Sequence, residues 1–276
     1  APGWYVRKDG HSIIRMPGVP REMKKMWTEQ VVPKLRDQSG ATLVTRILRV
    51  AGLGESPVEE RLGDLIHATN PTVATYAKND AVDVRISAKA ATQAEAEALL
   101  APVAARVREA LGHHVFGVDG ATLPGVVGDL LRKTAWQMAT MESCTGGLLA
   151  SYVTDQPGSS DHMRGGIVSY AADLKVKFGA PQATIDTYGV ISDETALAMA
   201  RAARDQLGAH VGVSTTGNAG PDAQDGKPVG EVHIAVVSPK GEVARRVNLR
   251  GERGEIKHRA ALAALDLLRL HLLGDA

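Results

Sequence analysis

Ser143, Lys175 and Tyr170 are the residues whose types and spacing bear most directly on chemistry. They fall in one stretch that runs Glu142-Ser143-Cys144-Thr145-Gly146-Gly147, then Pro157-Gly158-Ser159-Ser160, then Gly165-Gly166-Ile167-Val168-Ser169-Tyr170, with Lys175 five residues on. A serine hydroxyl is a weak nucleophile until a neighbouring base takes its proton. Lys175 is a candidate base if burial or nearby positive charge lowers its pKa, and Tyr170 can relay the proton or hold the lysine. Serine with a lysine base is an alternative to Ser-His-Asp. The plainer reading stands beside it: a serine before a helix is commonly an N-cap, and a lysine after a tyrosine is commonly solvated. Cys144 is a rival nucleophile. It also fits a core position, where cysteine packs as a small hydrophobe.

The neighbouring elements would place this cluster at a sheet edge. Ala135–Thr140 reads as a buried strand and Leu148–Val153 as the start of a helix. Open α/β sheets hold their ligands between such elements, at the carboxyl ends of the strands. Gly146 and Gly147 remove side chains where the helix begins, so backbone N–H groups there are candidates to face an anion or a developing oxyanion. Further on, His210–Thr216 reads as a buried strand that delivers the loop Thr216–Pro221.

The motifs above, together with Thr216-Gly217-Asn218-Ala219-Gly220-Pro221 and Lys227-Pro228-Val229-Gly230, occur in an order that closely resembles the carboxy-terminal module of the competence/damage-inducible CinA family. The resemblance covers roughly Ala121 to Leu273. It implies an α/β fold, a three-layer α/β/α sandwich. It also implies a nicotinamide-nucleotide amidohydrolase (NMN deamidase), turning nicotinamide mononucleotide and water into nicotinate mononucleotide and ammonia. The family's nucleophile falls on Ser143 and its assisting lysine and tyrosine on Lys175 and Tyr170. No cofactor and no metal are implied, and a cytoplasmic homodimer is expected. Two positions depart from the family pattern: Asn218 stands where an apolar residue is usual, and Asp222-Ala223-Gln224 where a glycine-rich turn is usual.

A substrate of that kind binds through phosphate, ribose and amide. Its phosphate wants backbone N–H groups and a cation. Gly146 and Gly147, Gly158 with Ser159 and Ser160, and Thr216, Gly217, Asn218, Ala219 and Gly220 are candidates for the first. Lys227 and Arg253 are candidates for the second. Glu142 and Thr145 complete the expected substrate-contacting set. His162, His210 and His233 have no metal-ligand spacing. The family name also leaves open a different class of function, a non-enzymatic competence or DNA-damage partner that binds a recombination protein or a nucleotide.

The whole chain bounds these readings. Its 276 residues suit about two domains at ~150 residues each. Hydrophobic content of 44% and charged content of 23% are those of an ordinary globular protein, with only 4% aromatic residues, so the core rests on Ala, Val, Leu and Ile. A net charge of +1 gives no global field toward nucleic acid or an anionic membrane. The single cysteine excludes an intrachain disulfide and suits a reducing cytoplasm. No stretch approaches the ~20 apolar residues of a membrane span, and the chain does not open with a signal peptide.

Three segments are expected: 1–38, 39–119 and 120–276. The first reads as two short strands, Trp4–Val6 and Ser12–Arg15, around Asp9-Gly10. Met16-Pro17-Gly18-Val19-Pro20 and an amphipathic helix through Val32 follow. It resembles the end of the molybdopterin-binding-like (ADP-ribose pyrophosphatase) domain that precedes the amidohydrolase in CinA proteins, and is expected to be a remnant. The second reads β-α-β-β-α: Thr42–Val50, a helix Pro57–Ala68 opened by a Ser56/Glu59 capping box, Thr72–Tyr76, Ala81–Ala88 and Thr92–Leu111. The resemblance makes it a KH-like linker domain. Gly52-Leu53-Gly54-Glu55 has the wrong spacing and charge for a KH nucleic-acid loop, so spacing and dimer contacts are its expected role. In the third, helices are read over Leu123–Lys133, Glu194–Leu207 (capped by Ser192) and Gly254–Leu272, and strands over Trp136–Met141, Val232–Val237 and Glu242–Asn248.

Overall fold

The computed structural model describes residues 1–39 and 41–276, with the side chains of 36–39 outside the description. The segment boundary expected at residues 38–39 falls on those side chains. The chain forms two compact units. One comprises Ala1–Ile47, Leu62–Ala74 and Arg85–Ala110, and the other Leu48–Arg61, Thr75–Val84 and Leu111–Ala276.

Strands β1 (Trp4–Lys8) and β2 (His11–Arg15) make an antiparallel hairpin. Asp9 and Gly10 turn it with φ of 51° and 80°, the paired positive values that an Asp-Gly hairpin turn favours. Helix α1 (Pro20–Met26) opens on a proline whose missing N–H costs nothing there, and it passes through a π-helical stretch, Trp27–Val31, into α2 (Val32–Ser39).

Strand β3 (Thr42–Val50) is followed by α3 (Glu55–Leu62) and a 3-10 turn, Gly63–His67. The expected capping box does not form. Ser56 lies inside the helix, and the Glu59 carboxylate accepts instead from Thr75 Oγ1 at 2.6 Å. Then come β4 (Thr72–Ala77), β5 (Val82–Ala90), α4 (Gln93–Leu111) and a short strand not read from the sequence, β6 (Val115–Val118). The sheet order is β4-β5-β3-β6, with β6 antiparallel to β3. Helix α4 buries Ala96, Leu100, Ala104, Val107 and Leu111, the spacing of one helical face.

The remaining elements build a mixed five-stranded sheet between helices. In chain order they are α5 (Leu123–Thr134), β7 (Met138–Glu142), α6 (Leu148–Thr154), β8 (Met163–Val168), α7 (Ala172–Lys177), α8 (Gln182–Tyr188), α9 (Asp193–Leu207), β9 (Val211–Gly217), β10 (Glu231–Ser238), β11 (Gly241–Asn248) and α10 (Arg253–Leu273). The sheet order is β11-β10-β9-β7-β8. β8, β7 and β9 run parallel, and β10 and β11 add as antiparallel strands. β7, β9 and β10 are buried along nearly their whole length, as strands covered on both faces must be. Helix α9 lies on the sheet, capped by Ser192 accepting from the Thr195 N–H and stopped at Gly208. Its small residues let backbone approach backbone: a Cβ on Gly212 of β9 would fall 1.8 Å from Ala200 O. α10 packs on the sheet and on α5 and α6. The fold is therefore the expected three-layer α/β/α sandwich. Among the described residues no helix is long and apolar enough to cross a membrane.

Candidate active site at the carboxyl edge of the parallel strands

Three parallel strands end together around Ser143. Glu142 closes β7 opposite Val168 of β8 and Thr215 of β9. The chain then leaves the sheet: Ser143 N–H donates to Thr215 O and Ser169 N–H to Glu142 O, both at 2.9 Å. Ser143 is thus pinned between two neighbouring strands just past their ends, where parallel sheets place ligands. It is not a helix cap, because α6 begins after Gly147.

Lys175 reaches the same point from α7. Its side chain is fully buried, and Nζ lies 3.0 Å from Ser143 Oγ, donating also to Ser169 O at 2.9 Å and Tyr170 O at 3.1 Å. Burial pushes its pKa below the usual lysine value, while the Asp225 carboxylate pulls the other way. Tyr170 contributes in an unexpected manner. Its carbonyl meets the lysine, but its phenol is exposed and accepts from Arg253 Nη2 at 2.9 Å. Arg253 Nη1 donates to Gly220 O at 2.6 Å.

These residues line one cavity of about 490 Å3, whose wall includes Ser143, Lys175, Tyr170, Thr216–Ala219 and Arg253. Thr216 Oγ1 donates to Val190 O at 2.6 Å. Asn218 organises the loop beyond it: Nδ2 donates to Asp222 O and Lys227 O, and Oδ1 accepts from Gly220 N–H. A polar residue in this position is therefore a loop clamp. Asp225 and Gln224 also line the cavity and were not read as site residues. The Asp225-Gly226 dipeptide was the signal that could have found that turn.

Several expected contacts belong elsewhere. Glu142 is buried beneath the site and accepts from Gly147, Leu149 and Ala150 N–H groups at 3.0, 3.0 and 2.8 Å, and from Thr145 Oγ1 at 2.6 Å. Its lone pairs close the amino end of α6, so neither it nor the buried Thr145, which also bonds Thr215 Oγ1, faces the cavity. The Gly147 N–H is taken by Glu142 and the Gly146 N–H by Ser143 O, so these amides are not turned to an anion. Gly158, Ser159 and Ser160 precede Met163, the residue paired with Met138 at the start of β7. They lie at the opposite edge of the sheet. Lys227 is outside the cavity wall and pairs with Glu231 at 3.1 Å.

Cys144 touches the cavity but is 5% exposed, and burial pushes its thiol up to about 12. A thiol so protonated is a poor nucleophile at neutral pH. The three histidines are dispersed: His162 packs against Gly128, His210 accepts from the Gln137 N–H, and His233 lies between Asp193 and Glu231.

The fold and cleft define an α/β/α sandwich protein with a polar, serine- and lysine-lined site at its sheet edge. The chain belongs to the CinA family: residues 120–272 match the CinA C-terminal domain and residues 45–117 the damage-inducible protein CinA KH domain. It is 44% identical over 281 residues to a CinA-like protein of Frankia casuarinae, covering 99% of this chain and 65% of the relative. It is 38% identical to a CinA-like protein of Kosmotoga olearia, covering 99% and 67%. The chain thus spans about two thirds of the length of these relatives. A competence/damage inducible protein structure from Agrobacterium tumefaciens matches with TM-score 0.51 at 33% identity, covering 53% of this chain and 91% of that one. A CinA superfamily structure from Klebsiella pneumoniae matches with TM-score 0.54 at 25% identity, covering 55% and 96%.

Proposed function

We propose that the cleft hydrolyses the carboxamide of nicotinamide mononucleotide, giving nicotinate mononucleotide and ammonia in pyridine nucleotide salvage. The observation that carries this reading is the 3.0 Å approach of a buried lysine amine to Ser143 Oγ inside a cavity. Ser143 Oγ attacks the carboxamide carbon as its proton passes to Lys175 Nζ. Lys175 then returns that proton to the departing nitrogen, leaving an ester on Ser143. Water, deprotonated by the same amine, releases the carboxylate and restores the serine. Tyr170 holds Lys175 through its carbonyl and Arg253 through its phenol, and Arg253 is the cation for the phosphate. Residues 120–276 form the amidohydrolase domain and 39–119 its linker, in a cytoplasmic homodimer.

The test is ammonia release from nicotinamide mononucleotide by the purified chain, with Ser143→Ala as control. Turnover by the wild type alone supports the reading. A wild type that releases no ammonia sinks it and leaves the non-enzymatic partner role standing.

A further inference from the structure

Asp225 lines the same cavity as Ser143, Lys175 and Arg253, and the chemistry above gives it no task. Its placement is built into the loop. Asp225 and Gly226 have φ of 51° and 71°, and Gln224 and Lys227 exchange both main-chain hydrogen bonds, at 3.2 and 2.8 Å. That is a two-residue turn with positive φ at both central positions, which Asp-Gly favours. Asn218 fixes its base through Asp222 O at 2.9 Å and Lys227 O at 3.1 Å. A braced turn therefore carries a carboxylate to the cavity wall. Among the described residues lining the cavity, Asp225 alone is acidic.

A carboxylate there works against the base. Negative charge near Lys175 favours the ammonium, whereas proton removal from Ser143 needs the neutral amine. The conflict disappears when a ligand brings a positive charge of its own. We propose that Asp225 is a specificity-determining residue that faces the ligand's charged ring, so that the site selects cationic pyridinium carboxamides over neutral carboxamides of the same outline. This rests on the amidohydrolase reading. A pyridinium is permanently charged, so the attraction holds wherever Asp225 is ionised. Once bound, the ring also offsets the pull of Asp225 on Lys175.

Nicotinamide mononucleotide and its reduced dihydropyridine form share carboxamide, ribose and phosphate and differ in ring charge. The experiment measures Kd by calorimetry and kcat/KM by ammonia release for both compounds, with wild type and Asp225→Asn. Asparagine tolerates the positive φ of this turn, so the loop is retained. The variant should bind the cationic form about fivefold or more weakly, the worth of one contact ion pair in bulk-water dielectric, and the reduced form unchanged. The reduced ring has a less reactive amide, so rates are compared as the change in the ratio between the two proteins. Among the described residues the charged group bearing on Lys175 is Asp225, the nearby Cys144 thiol staying protonated, and the variant's activity should rise at lower pH than the wild type's. Equal losses on both compounds, or none on either, would overturn the inference. Ammonia release with unchanged charge preference rejects the role of Asp225 alone. Charge-selective binding without ammonia release rejects the amidohydrolase reading alone. No binding of either compound rejects both.

Discussion

Lys175 Nζ lies 3.0 Å from Ser143 Oγ while its other contacts are the carbonyls of Ser169 and Tyr170 at 2.9 and 3.1 Å. A neutral amine has two N–H groups and one lone pair. The two carbonyls accept the N–H groups, which leaves the lone pair for the serine proton. Burial holds the folded pKa below the free value, so the neutral form is populated above that folded pKa and lost as pH falls through it. The kcat/KM profile should therefore rise with an apparent pKa below the ~10.4 of free lysine. Lys175→Arg should lose about 100-fold or more, since a guanidinium keeps its proton and cannot act as base. Retained activity in that variant would assign the base to another group.

Ser143→Ala should lower kcat about 1,000-fold or more with an unchanged circular dichroism spectrum, because it deletes the oxygen proposed to attack while leaving the main-chain frame held by Thr215. Cys144→Ala should keep activity within about threefold. Its thiol is buried with a pKa near 12, and its atoms serve the core beside Leu149 and Ile256. A dead cysteine variant with an active serine variant would reverse the assignment of the nucleophile.

The sheet was legible because its strands carry their own signals. Glu231–Ser238 is a short, mostly apolar run bounded by glycine and proline, Val211–Gly217 is a β-branched run that ends on glycine, and Ser192 and Gly208 punctuate α9. β6 escaped because four residues with a glycine among them show no alternation. Ser143 and Lys175 were readable as a pair. The duties of Glu142 and Tyr170 were not, since sequence does not say which lone pair faces which donor. Glu142 looked like a cavity residue because it adjoins Ser143. Strand alternation turns neighbouring side chains to opposite faces, and three amides of α6 draw its carboxylate inward. Pro157–Ser160 looked like a phosphate loop because its residues suit one, but it lies at the wrong edge of the sheet. Asp225 depended on a loop whose path the strands alone do not dictate.

Glu142→Gln should destabilise the fold by about 1.5–3 kcal/mol in urea unfolding, the range for a hydrogen bond to a charged group. The carboxylate is 1% exposed and accepts from three amides, and a glutamine NH2 would turn a donor toward donors. Activity per folded molecule should fall as well, because Glu142 anchors the strand end that carries Ser143. A variant as stable as the wild type would show that the N–H groups of α6 find other partners.

His162 should make stability sensitive to acid. Both ring nitrogens are buried without a hydrogen-bond partner, and a Cβ on Gly128 would fall 2.8 Å from Cε1. Burial, helped by Arg132, holds its folded pKa below 6.5. The unfolded chain therefore takes up this proton first, and stability falls from about pH 6.5 down to the folded pKa. His162→Leu should flatten that part of the stability curve between about pH 7 and pH 5 and leave the neutral-pH Tm close to the wild type's. An unchanged slope would assign the acid sensitivity to other groups.

Tyr170 and Arg253 close the cavity mouth together, and separating their roles requires kinetics rather than a single rate. Arg253 is held from both sides, by Gly220 O at 2.6 Å and by the Tyr170 phenol at 2.9 Å. Tyr170→Phe leaves the carbonyl that meets Lys175 and removes one partner of the guanidinium. KM should therefore rise about three- to tenfold while kcat changes by less than about threefold, the pattern of lost binding without lost transition-state contact. Arg253→Lys should raise KM further, because a point charge replaces a fork that can grip a phosphate while bonded to Gly220. The double variant should be little worse than Arg253→Lys alone, since the tyrosine hydroxyl acts through the arginine. If Tyr170→Phe instead lowers kcat about 100-fold with KM unchanged, the phenol takes part in proton transfer, and its exposed position at the mouth is not the one it holds during turnover.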